Sequence, residues 1–181
     1  HLPALRSLQR IAAADLAVAA GNALLARQPF RPDQLDEVIL GCAAPSADEA
    51  NIGRIAALRM GCGNRVPGWT VMRNCASGMQ AIDSGLADIR LGRADLVLAG
   101  GVDALSRAHL LFSDAMVRWL AQWYAAKGFG ERARLVTKFR PGMLVPVIGL
   151  LRGLTDPVIG INMGQTAENL AARFGISRTQ M

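Results

Sequence analysis

The stretch from Thr70 to Ser106, TVMRNCASGMQAIDSGLADIRLGRADLVLAGGVDALS, changes its apolar period along its length, and those changes constrain the fold more than any other feature. Trp69 to Met72, after Pro67-Gly68, is a short β-prone run. Asn74-Cys75-Ala76-Ser77-Gly78 is small or polar throughout. From Met79 the residues Met79, Ile82, Leu86 and Ile89 recur at helical spacing and share one face. Ala81 and Gly85 leave room for that helix to pack closely. Gly92 stands where a helix C-terminus takes a left-handed residue. Leu96 to Ala99 reads as buried strand, closed by Gly100-Gly101. The same alternation runs upstream. Residues 11–27 are alanine-rich and helix-prone, with Leu16, Ala20, Leu24 and Leu25 as the expected apolar stripe. Glu37 to Gly41 reads as a buried strand. Residues 51–60 read as a helix broken by Gly61-Cys62-Gly63. Strand-helix alternation with short connections argues an α/β fold, a sheet with helices on its faces. The 181 residues suffice for a substantial core, and 51% hydrophobic against 19% charged residues excludes a disordered chain.

The chemistry centres on Cys75, at the junction between a strand and the first turn of a helix. Free backbone N–H groups and the dipole at that end favour a negative charge, and the thiolate is the form of cysteine that attacks. The same N–H groups suit an oxyanion on a thioester carbonyl. Taken alone, such a cysteine is more often a small packing residue. Cys42 and Cys62 read as structural. Gly61-Cys62-Gly63 lacks a full dinucleotide fingerprint and follows a helix, so it reads as a cap and turn. The three cysteines show no metal-ligand spacing, so no metal is expected, and they suit a reducing compartment.

The net charge of +6 suggests an anionic partner: nucleic acid, a membrane surface or a phosphorylated cofactor. No nucleic-acid module is recognisable, which sets nucleic acid aside. No apolar run is long enough to span a bilayer. The basic residues concentrate between Val117 and Gly153, where Arg118, Lys127, Arg132, Arg134, Lys138, Arg140 and Arg152 stand against Glu131 alone. Trp119, Trp123, Tyr124, Phe129 and Phe139 are interleaved with them. The segment reads as an insertion packed on the main sheet, and its composition also suits attachment to a membrane or a partner subunit.

Asn74-Cys75-Ala76-Ser77-Gly78-Met79-Gln80-Ala81, with Ala99-Gly100-Gly101-Val102-Asp103-Ala104-Leu105-Ser106 after it, resembles the nucleophile region of the thiolases. Asn162-Met163-Gly164-Gln165-Thr166-Ala167-Glu168-Asn169 resembles that family's second signature. Asn51-Ile52-Gly53-Arg54 and Phe174-Gly175-Ile176-Ser177-Arg178 fit as well, and the stretches occur in the family's order from about Asp15 onward. The resemblance implies an α/β, thiolase-like fold, N-terminal half, with a mixed five-stranded sheet flanked by helices. Residues 1–106 would be the core carrying the nucleophile, 107–161 an inserted part of the loop domain, and 162–181 a return to the core. It implies thiolytic cleavage of a 3-ketoacyl-CoA, or the reverse Claisen condensation, through an acyl group on Cys75. Met163 and Gly164 would line the substrate pocket. Arg134, Lys138 and Arg140 would meet the phosphates of coenzyme A, which is a substrate and not a resident cofactor.

The family's acid/base machinery, a His in Gly-His-Pro, an Asn in Asn-Glu and a second Cys beside glycines, has no counterpart in these residues. His109, in Ala108-His109-Leu110, reads as a loop or packing residue. We therefore expect the chain to carry the nucleophile half only and to be incompetent for turnover alone. Ser177-Arg178-Thr179-Gln180 has the pattern that starts a new helix, and the chain opens at His1-Leu2 without Met. We expect the natural polypeptide to continue. The resemblance further implies a homodimer or tetramer, a fatty-acid-oxidation partner subunit, at most weak membrane contact, and a location in bacterial cytoplasm or, second to it, the mitochondrial matrix. The half-protein would expose the apolar surface that meets its second half. The competing readings are a condensing enzyme of the ketoacyl synthase type, which the Asn162 to Glu168 run argues against, and a non-catalytic subunit that keeps the fold for assembly.

Overall fold

The computed structural model describes residues 8–181; the start of the chain at His1-Leu2 lies outside them. The chain divides into two compact units, one ending at Arg107 and the other running from Ala108 to Met181.

The first unit is built on β1 (Glu37–Gly41), β2 (Gly68–Val71) and β3 (Val97–Gly101), a parallel sheet in the order β2-β1-β3. β1 is the central strand, and Val38 and Ile39 are fully buried, as a near-continuous apolar run in a parallel sheet requires. Alternation along β1 assigns its two faces. Val38, Leu40 and, just beyond the strand, Cys42 join the core formed with α1 (Ala13–Leu25) and α2 (Ile52–Arg59). Ile39 and Gly41 face α3 (Ser77–Arg90) instead, and a Cβ on Gly85 would lie 3.7 Å from Ile39 Cδ1 and 2.9 Å from Val97 Cγ1. Ala81 and Gly85 are both buried on that side, so the small residues of this helix are indeed its packing face.

Two helices turn inward a different face from the one their large apolar residues mark. In α1 the buried residues are Ala13, Ala14, Gly21 and Leu25. Of the expected stripe only Leu25 is among them, while Leu24 is 48% exposed. The reason is distance: a Cβ on Gly21 would collide with the Met60 side chain, and only small residues let α1 and α2 approach so far. In α3 the row Met79, Ile82, Leu86, Ile89 faces outward, with Met79 70% exposed. Gly92 takes the left-handed conformation expected of it, φ 67°, as do Gly61 and Gly63.

Short polar contacts fix the connections. The Asp36 carboxylate accepts from the N–H groups of Asp95 and Leu96 at 2.8 and 2.9 Å, holding the entry to β3 beside β1. These donors keep its carboxyl below the usual carboxylate range. Asn51 caps α2 by accepting from Arg54 N–H at 3.1 Å, and it also accepts from the Thr70 hydroxyl, which accepts in turn from Gly53 N–H.

The second unit has β4 (Leu110–Leu111) antiparallel to β5 (Val147–Ile148), with α4 (Asp114–Ala125), α5 (Phe129–Lys138), α6 (Gly149–Gly153) and α7 (Met163–Phe174). Segment 162–181 lies in this unit with 108–161. Its packing is aromatic. Trp119 stacks on Trp123 and meets Phe139 edge-on, both at 5.3 Å, and Trp119 Nε1 donates to the Leu135 carbonyl. Of the five interleaved aromatics these three pack together, while Tyr124 and Phe129 stay exposed.

The α/β class, a parallel sheet flanked by helices, stands as expected. The strands are distributed differently from one mixed five-stranded sheet: among the described residues, three form the parallel sheet and two form a separate antiparallel pair. β4 and β5 have two residues each, and their hydrogen-bonding partners are each other. Ser177 to Gln180 forms a turn and not a helix, although Gln180 Oε1 accepts from Ser177 N–H at 2.7 Å in the manner of a capping box. No helix of the described residues is long and apolar enough to cross a membrane.

A Cβ on Gly53 would collide with the backbone of Trp69. Gly53→Ala is therefore expected to destabilise the first unit by about 1–3 kcal/mol, read from the urea midpoint; an unchanged midpoint would contradict the packing described. The outward row on α3 is expected to bind ANS and to drive concentration-dependent association. A monomeric, ANS-silent sample would show that this face is covered.

Candidate active site

After β2 the chain turns through Arg73 to Ala76 into α3. Ala76 N–H donates to the Arg73 carbonyl at 3.0 Å, and Ser77 N–H to the Asn74 carbonyl at 3.1 Å. Asn74 has φ 49°, the only left-handed residue other than glycine among those described. Asparagine is one of the few L-residues that adopt this conformation readily. The turn brings Cys75 to the surface, whereas Cys42 and Cys62 are buried. α3 has no side-chain cap at its start; Ser77 N–H is taken by the Asn74 carbonyl, and the N–H groups of Gly78 and Met79 are left to solvent or to a ligand.

A cleft of about 390 Å³ opens there, lined by Asn74, Cys75, Ser77 and Gly78 from the turn and by Gly41 and Gly101 from the carboxyl ends of β1 and β3, with Asp103 beside them. This is the end of a parallel sheet where α/β folds place their ligands. Glycine makes the closeness feasible. A Cβ on Gly41 would strike the backbone of Ser77 and Gly78, and one on Gly101 would come within 2.9 Å of Gly78 Cα.

Sequence reading singled out Cys75 but not two further residues that line the same cleft. Ser77 is buried, and its hydroxyl accepts from Arg73 N–H at 2.8 Å and donates to the Asn74 carbonyl at 2.7 Å. Nothing in the pattern marks it except its place just after Cys75, at the start of the helix. Asp103 accepts from Ala44 N–H at 2.8 Å, from Ala43 N–H at 3.1 Å and from the Cys42 thiol at 3.3 Å. Those partners lie some sixty positions away in sequence, beyond any local signal.

The remaining candidates lie in the second unit. Met163 and Gly164 open α7, both exposed. Their neighbours Asn162 and Gln165 form a reciprocal capping box, Asn162 Oδ1 accepting from Gln165 N–H at 2.8 Å and Gln165 Oε1 from Asn162 N–H at 2.9 Å. Lys138 and Arg140 share a cleft of about 730 Å³ with Ser113, Thr137 and Met143. Arg134 lines a smaller one of about 290 Å³, to which Lys138 also contributes. His109 is exposed, and its carbonyl accepts from Gly149 N–H. Among the described residues, no group of His, Cys, Asp and Glu is arranged to hold a metal ion.

Burial pushes the Cys42 thiol up from 9.0 to about 12; the Asp103 hydrogen bond and charge add to this, and Ala44 N–H opposes it. Burial likewise raises Cys62. Both stay protonated at neutral pH. A thiol held neutral in the fold ionises first in the unfolded chain, so its contribution is complete below pH 9 and declines as pH rises toward 12. The stability advantage of wild type over Cys42→Ala is expected to shrink across that window in urea titrations at stepped pH. A constant difference would contradict the assignment.

The model of the thiolase N-terminal domain matches residues 3–181. The human mitochondrial trifunctional enzyme subunit beta is 33% identical over 166 residues, covering 92% of this chain and 34% of that protein. The solved acetyl-CoA acetyltransferase of Bacillus anthracis matches with a TM-score of 0.76 at 34% identity, over 94% of this chain and 38% of that one. The human mitochondrial 3-ketoacyl-CoA thiolase solved in complex with CoA matches with a TM-score of 0.74 at 30% identity, over 96% and 39%. The chain belongs to the thiolase family, and its match lies in the family's N-terminal domain. It spans about a third of the length of the curated relatives it matches.

Proposed function

We propose that this chain supplies the nucleophile half of a thiolase, an acyltransferase acting on acyl-CoA thioesters. The observation that carries the reading is the exposed Cys75 at the uncapped start of α3, in a cleft at the carboxyl ends of parallel strands. In the thiolytic direction the Cys75 thiolate attacks the keto carbonyl carbon of a 3-ketoacyl-CoA and forms the C–S bond. The tetrahedral oxyanion is held by backbone N–H groups of the first turn of α3. Its collapse breaks the bond between the α and keto carbons. The electron pair passes to the α carbon, and the resulting acetyl-CoA enolate takes a proton. The acyl group stays on Cys75 until the thiolate of free coenzyme A attacks it, releasing the shortened acyl-CoA and the Cys75 thiolate. Condensation is the same sequence reversed.

Lys138 and Arg140, with Arg134 nearby, offer cationic groups to the phosphates of coenzyme A, and Met163 and Gly164 line the acyl pocket. The acid/base group that protonates the enolate comes from outside these residues, so the chain does not turn over alone. We further propose residues 1–106 as the nucleophile core, 107–161 as loop domain and 162–181 as the return to the core. The remaining proposals are a homodimer or tetramer, a fatty-acid-oxidation partner subunit, and a bacterial cytoplasmic or mitochondrial-matrix location. Two of the similar proteins named above are mitochondrial and one bacterial.

The test is to incubate the protein with acetyl-CoA, quench in acid, and map the adduct by mass spectrometry. One acetyl group on Cys75, absent in Cys75→Ala, is the expected result. Modification of Cys42 or Cys62 in its place, or a folded protein that takes no acetyl group, would favour a non-catalytic role in assembly.

A further inference from the structure

We propose that the Ser77 hydroxyl is a positioning residue for Cys75, tying the turn that aims the thiol into the cleft. The proposal rests on the reading of Cys75 as the reacting group and adds a residue to that site.

Among the described residues Ser77 is the one polar side chain that is buried, at 3% exposure. Its hydroxyl is used twice, accepting from Arg73 N–H at 2.8 Å and donating to the Asn74 carbonyl at 2.7 Å. Cys75 stands between the residues so joined. It is exposed, so no surrounding core holds it, and its direction is set by the turn. That turn includes Asn74 at φ 49°, a left-handed conformation that asparagine tolerates but that is not the chain's default. The far side of Ser77 cannot yield, because its backbone lies against Gly41 with no space for a Cβ. The hydroxyl therefore transmits the position of a fixed helix end to the turn. Its proton is committed to the Asn74 carbonyl, so it acts through the turn and not on the substrate.

Removing the hydroxyl leaves Arg73 N–H and the Asn74 carbonyl without this partner and frees the turn to shift, which changes where Cys75 points. The measurement is the rate of iodoacetamide alkylation of each cysteine at fixed pH, followed by peptide mapping, in the 181-residue chain. Iodoacetamide needs no coenzyme A site, so the result is independent of acyl-CoA recognition. In Ser77→Ala, Cys75 labelling is expected to slow by about tenfold, the equivalent of one to two hydrogen bonds, while Cys42 and Cys62 stay protected. Ser77→Thr, which keeps the hydroxyl, is expected to restore the rate. Three results would overturn the proposal: an unchanged Cys75 rate, failure of Ser77→Thr to restore it, or exposure of Cys42 and Cys62, which would mean that Ser77 merely holds the fold together. If wild-type Cys75 takes no acetyl group from acetyl-CoA yet its alkylation depends on Ser77, the thiolase reading fails and the positioning role stands.

Discussion

Everything at the candidate site depends on one close approach: the first turn of α3 against the carboxyl ends of β1 and β3. Gly41 meets the backbone of Ser77, and Gly101 meets Gly78, each without room for a side chain. Backbone-to-backbone packing of this kind has few low-energy alternatives, because there is no side chain to repack. It brings the uncapped N–H groups of the helix to the strand ends, where charge on a bound group can be met by fixed dipoles. It also gives the turn carrying Cys75 an immovable end on which to be strung. The inner surface of α3, with Ser77, Ala81 and Gly85 buried, continues the same contact along the helix.

The same constraint explains what could and could not be read from the residues. The strand at Glu37 to Gly41, the helix ends at Gly92 and Gly175, and the turn at Gly61 to Gly63 follow from local chemistry, and the structure has them. The faces of α1 and α3 do not follow. Periodicity marks the side that carries large apolar residues, and where two elements approach closely the packing side is the one that carries small residues. Leu24 and Met79 are exposed for that reason, and Ala14 and Ala81 are buried. Cys75 was singled out because its neighbours resemble a family signature. Ser77 and Asp103 were not, because their roles lie in hydrogen bonds whose geometry exists only once the chain is folded.

The second signature separates in a similar way. Asn162 and Gln165 commit their side chains to each other's backbone N–H groups at the start of α7. That capping box is worth roughly 0.5–2 kcal/mol to the helix and accounts for both residues without a ligand. Met163 and Gly164, between them, have no part in that capping box, and the substrate role proposed for them rests on the family resemblance alone. In the aromatic-rich segment the composition suggested a surface for a membrane or partner, yet Trp119, Trp123 and Phe139 are spent on one another. An interleaved aromatic pattern on helices does not distinguish a small core from an exposed belt until partners are known.

The carboxylate beside the cleft bears on the division of labour in the proposed reaction. Asp103 is the one acidic residue lining it, and a base there would need a free oxygen pointed at the reacting atoms. Its Oδ1 instead takes Ala43 N–H, Ala44 N–H and the Cys42 thiol, and its Oδ2 is shared with Ala43 N–H. These bonds hold the loop after β1 and fix the carboxylate's orientation to it. A carboxylate so engaged is a structural anchor for that loop. Among the described residues that line the cleft, Cys75 is the proposed nucleophile and the free N–H groups of α3 the proposed oxyanion donors, while the carboxylate there is already engaged. That inventory is the physical reason for assigning the acid/base work of the proposed reaction to residues outside this chain.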